Sequence, residues 1–147
     1  MNNKGSVFPH RALAICGAAL LLALAPAAGA RSPAPEGAEL YFIAPTDGAT
    51  VRNPVVVRFG LRGMGVAPAG VDMQKTGHHH LIIDAPLPPM DQPVPSSEQY
   101  RHFGGGQTEV KLDLPPGRHE LQLLLGDHLH VPHDPPVMSK RISITVE

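Results

Sequence analysis

Two stretches near the C-terminal end alternate with a period of two and are joined by only three residues. Residues 107–114 set Thr108, Val110, Leu112 and Leu114 against Glu109, Lys111 and Asp113, and residues 118–125 place Leu121, Leu123 and Leu125 on one side. Strands with one buried face alternate this way and helices do not. Pro115-Pro116-Gly117 between them reads as a tight turn, because Pro presets φ and Gly accepts positive φ. The same pattern recurs in residues 39–44, in 54–60 (Val55, Val57 and Phe59 against Val56 and Arg58), in 78–84, and in Ile142, Ile144 and Val146. Pro45-Thr46-Asp47-Gly48 is a further turn. No segment after residue 30 has a helical period. The expected fold is all-β: an immunoglobulin-like antiparallel β-sandwich over residues 39–147, with about six or seven strands. Loops fill residues 61–77 and 85–106, and the Pro-rich second loop has room for a short edge strand. Residues 31–38 read as a flexible linker. With no Trp and few aromatics, the core has to be built of Val, Ile and Leu.

The first 30 residues read as a signal peptide. Lys4 and Arg11 form a basic region, residues 12–25 are apolar, and Ala28-Gly29-Ala30 is a small-x-small cleavage site. The apolar run is short for a membrane span of about 20 residues. Cys16 opens that run instead of following it, which argues against a lipoprotein. The expectation is export to the periplasm or secretion, with no stable membrane span after cleavage. The only cysteine leaves with the signal. The mature chain then has no disulfide and no thiolate nucleophile or ligand, which excludes a blue-copper centre. It loses Lys4 and Arg11 and none of the 13 acidic residues, a balance that does not suit nucleic acid.

All nine histidines except His10 lie in the mature part. His78, His79 and His80 open a strand, so His78 and His80 share a face, about 6.6 Å apart, and His79 points the other way. In an immunoglobulin-like sandwich the strand at 78–84 and the strand at 118–125 are antiparallel neighbours. The start of the first then lies beside Gly126-Asp127-His128-Leu129-His130. His102, just before the strand at 107–114, falls at the same pole. The strand order thus predicts that three histidine-bearing segments meet, with His78, His80, His102, His130 and Asp127 as candidate metal ligands. Imidazole is the commonest protein metal ligand, and such a donor set suits zinc, copper or nickel. Met64, Met73 and Met138 raise Cu(I), but nothing in the sequence places them. His119, at the opposite pole and in register with core leucines, reads as structural, and Asp84 as a strand-end group. His79 divides evenly between core-edge packing and ligation, and His133 reads as a solvated loop residue. A histidine network that only positions loops is the plainer alternative to a metal site.

At these residues the sequence resembles a bacterial family, domain of unknown function 4399. The resemblance is carried by the segments GHHHLIID (77–84), HFGGGQTE (102–109), PPGRHEL (115–121) and Gly126-Asp127 with His130. It covers nearly all of residues 40–147. It implies no established activity, and His128 and His133 lie outside the pattern. It also puts His119 inside the pattern, which gives that residue more weight than packing alone.

Three readings follow from the residues. The first is an exported metal-binding protein for metal delivery, buffering or sensing. The second is an interaction module of the cell envelope, which uses the same pole to bind a protein or polymer. The third and least favoured is a metal-dependent enzyme with Glu109 or Asp127 as general base. No HExxH motif and no G-x-S-x-G elbow supports catalysis, so no catalytic residue and no organic cofactor is assigned.

Overall fold

The computed structural model describes residues 30–147, and the signal-peptide reading falls on residues outside that range. Nine strands and no helix occur among the described residues. They are β1 (Glu39–Ala44), β2 (Thr50–Val51), β3 (Val55–Arg62), β4 (Gly65–Val66), β5 (Thr76–Ile83), β6 (Tyr100–His102), β7 (Glu109–Leu112), β8 (Gly117–Gly126) and β9 (Ile142–Val146). Two short strands, β2 and β4, go beyond the sequence expectation. β6 is the edge strand inside the Pro-rich loop.

The strands form two sheets, one of order β1-β3-β7 and one of order β2-β9-β8-β5-β4, with β6 also paired to β5. This is an all-β sandwich whose central strands follow the immunoglobulin-like order. β2–β9 and β4–β5 are parallel pairs, so the second sheet is mixed. β7 is shorter than the alternation at 107–114 suggests. Its ladder ends at Leu112, and the Asn53 side chain takes over the backbone of Leu114, accepting from its N–H (3.1 Å) and donating to its carbonyl (2.7 Å).

Between the sheets, Val57, Leu81, Leu121, Leu123, Leu125 and Ile144 are essentially inaccessible to water. β5 and β8 are buried on both faces. Their outer face, Ile82 and Leu124, is roofed by Ala85 and Val94 of the Pro-rich loop, with Leu87, Met90 and Tyr100 packed beside them. That roof takes Ile82, on the face of β5 that also carries His78 and His80, out of water.

Residues 31–34 lie along the loop 127–134. Pro33 bridges to Asp134, the Ser32 hydroxyl donates to Asp127, and Arg31 reaches both the Asp134 carboxylate and the Met90 carbonyl. No described helix is long and apolar enough to cross a membrane.

Candidate metal centre

The site begins with the register of β5 against β8. His78 lies opposite Gly126 and His80 opposite Leu124. On the other side of β5, His80 pairs directly with His102 of β6. Beyond Gly126 the chain turns at 127–130 and returns His130 to the pole. One ring nitrogen from each of His78, His80, His102 and His130 lies within 4.8 Å of the others. Four points so spaced fit inside a sphere of radius about 3 Å, against metal–nitrogen bonds near 2.0–2.1 Å. The rings interlock: His78 meets His80 (4.8 Å between centroids), His102 (4.9 Å) and His130 (4.9 Å), and His102 meets His130 (4.6 Å).

Close backbone approach makes room for this. A Cβ at Gly126 would stand 2.6 Å from Cε1 of His80, so only glycine lets that ring lie against β8. A Cβ at Gly104 would collide with the ring of His102.

Burial pushes the His78 imidazolium down to about 4, with the neighbouring His102 and His130 adding to the effect. Burial pushes His80 down to about 3, again assisted by the other three rings. His102 is lowered by burial, with His130 adding to the effect. At neutral pH these three are neutral imidazoles with lone pairs to give. Among the described residues, the Nδ1 atoms of His78 and His80 are buried without a hydrogen-bond partner, a situation that costs about 1–3 kcal/mol per group when nothing satisfies it. A set of neutral imidazoles that bring one ring nitrogen each to within 4.8 Å of the others fits a borderline cation such as Zn(II), Cu(II) or Ni(II).

Asp127 stands outside the group of four. Its Oδ1 accepts from the backbone N–H of Leu129 (2.9 Å) and Val131 (3.0 Å), and its Oδ2 accepts from the Ser32 hydroxyl (2.7 Å). Burial alone would raise its pKa, but those three donors and nearby His128 outweigh it and hold the carboxyl below its usual range. The carboxylate thereby closes the turn in which His130 takes the left-handed φ of 67°.

The other histidines separate cleanly. His79 faces the interior with its ring 5.1 Å from that of Phe59. Its nitrogens have no hydrogen-bond partner within bonding geometry among the described residues, and burial pushes it to about 4 against a small opposing contribution from the Gln107 backbone. His119 sits at the far pole, 2.6 Å from Asp84 through Nδ1 and 2.8 Å from the Pro115 carbonyl through Nε2. Asp84, the strand-end group, also accepts from the Glu120 N–H at 2.7 Å. His133 departs from the solvated reading. It is 1 % exposed, with Nε2 at 3.1 Å from the Thr76 carbonyl at the start of β5, and it lines a cavity together with Ser32, Pro33 and Ala34. His128 lies at the surface, 3.6 Å from Asp72.

Among known families, the Domain of unknown function (DUF4399) matches residues 57–147, more than half of the chain. The chain belongs to this family. The stretch that matches DUF4399 contains all four clustered histidines, Asp127 and the His119–Asp84 pair, and leaves out β1 and residues 31–34. No curated protein and no solved structure matches the chain.

Proposed function

We propose that this is an exported, histidine-rich metal-binding protein that handles zinc, copper or nickel through His78, His80, His102 and His130. The observation that carries the reading is the convergence of four imidazole nitrogens from three separate chain segments within 4.8 Å. Every donor is an imidazole nitrogen, which suits zinc, copper or nickel better than hard cations held by oxygen. The export half of the proposal rests on Lys4 and Arg11, the apolar run 12–25 and Ala28-Gly29-Ala30, and cleavage after Ala30 is read directly by the N-terminal residue of protein recovered from outside the cytoplasm.

The test of binding is calorimetry on chelator-treated, dialysed protein titrated in turn with Zn(II), Cu(II) and Ni(II). One ion per chain is expected for at least one of the three metals. Absence of uptake for all three leaves the cluster as a hydrogen-bonded histidine network that positions loops.

A further inference from the structure

The four clustered histidines are not equivalent. His78 and His80 are 0 % and 1 % exposed and stand on a strand paired to β8 along one edge and to β6 and β4 along the other. His130 is half-buried, 2.9 Å from His78 and fixed by the turn that Asp127 closes. His102 is exposed. It ends a strand of three residues that pairs with β5 alone, and its ring makes no hydrogen bond among the described residues. After the buried Phe103 the chain continues as Gly104-Gly105-Gly106. With no side chain at 104, the ring rests against bare backbone.

Building on the metal reading, we infer that His102 is the exchangeable ligand of the centre, on the side where an ion enters and leaves. The ion stays on His78, His80 and His130 while its bond to His102 breaks. A neutral nitrogen donor of imidazole type arriving from solvent forms a bond in that place. One dative bond is lost and one is made; no electron moves, and with neutral donors no proton moves. A three-histidine site with a replaceable fourth position is the open form of imidazole coordination. It lets an ion be handed to an acceptor without passing free through water.

The experiment uses Co(II) as a visible probe, with His102→Ala compared with the unaltered protein. Thermal unfolding verifies the fold, and His102→Gln serves as a second variant. H102A is expected to bind one Co(II) with affinity lower by on the order of 100-fold or more, since losing an outer-shell partner alone costs roughly 10–100-fold. Millimolar imidazole is expected to restore the band position and intensity of the unaltered protein. Two results would overturn the inference: no Co(II) uptake by H102A or H102Q even with imidazole, or an affinity in H102A equal to that of the unaltered protein. If the unaltered protein itself takes up no Co(II), the metal reading falls too. Binding by the unaltered protein with failure of the H102A arm strikes only the exchange proposal.

Discussion

Nε2 of His78 lies 2.9 Å from Nδ1 of His130, although 52 residues separate them in the chain. One ring comes from the start of a buried strand and the other from a tight turn, so their distance depends on how that turn is held. Asp127 holds it through two backbone N–H groups and the Ser32 hydroxyl. Asp127→Ala leaves those donors without their acceptor and releases His130 from its left-handed backbone. A loss of about 1–3 kcal/mol in unfolding free energy is expected, together with weaker metal binding. Denaturant unfolding and a metal titration of the same variant check both. Ser32→Ala should show the same direction with a smaller effect.

Gly126→Ala tests the close approach beneath His80. The added Cβ would meet Cε1 of that buried ring at 2.6 Å, so the ring has to shift. Reduced thermal stability and reduced metal affinity are expected together. A variant with unchanged affinity would show that the position of His80 against β8 does not matter.

Protonation makes a third prediction. His78 and His80 titrate near 4 and 3 in the folded protein and near 6.5 when unfolded. The unfolded chain therefore takes up protons first as the pH falls. The stability that these two groups contribute to the metal-free protein is expected to be full above about pH 6.5 and to decline steadily toward pH 4. Unfolding midpoints measured across that range test the slope, which should flatten in His80→Leu.

The opposite pole should behave in the opposite sense. Burial lowers the pKa of His119, but its bonds to Asp84 and the Pro115 carbonyl, with the charge of Asp84, outweigh this and raise it. A raised pKa stabilises the fold below the unfolded value, and the contribution is lost as the pH rises through the folded value. Asp84→Asn should remove that alkaline loss and lower stability near pH 6, while metal binding stays unchanged. A change in metal affinity would mean that the two poles are coupled.

Much of this architecture is legible in the sequence because alternation is a local signal. The pattern in 78–84 and 118–125, combined with sandwich topology, already puts His78 beside Gly126, the pairing seen in the second sheet. The loop before β7 brings His102 to the same pole for the same reason. Burial by irregular chain is different, because a loop that covers a strand has no period to read. The roof of Val94 and Ala85 over Ile82 and Leu124, and the burial of His133 against the Thr76 carbonyl, leave no trace in hydropathy. The sequence reads Asp127, an acid next to clustered histidines, as a candidate metal ligand, whereas in the fold its carboxylate holds the turn and stands outside the group of four. Its bonds to the Leu129 and Val131 amides depend on a turn geometry that composition does not specify.

X-ray absorption at the zinc edge of the Zn(II)-loaded protein tests the central claim most directly. The account predicts one ion per chain, with four imidazole nitrogens near 2.0–2.1 Å and loss of that signature in the His78→Ala, His80→Ala double variant. An ion held mainly by oxygen donors, or the same spectrum in the double variant, would contradict it.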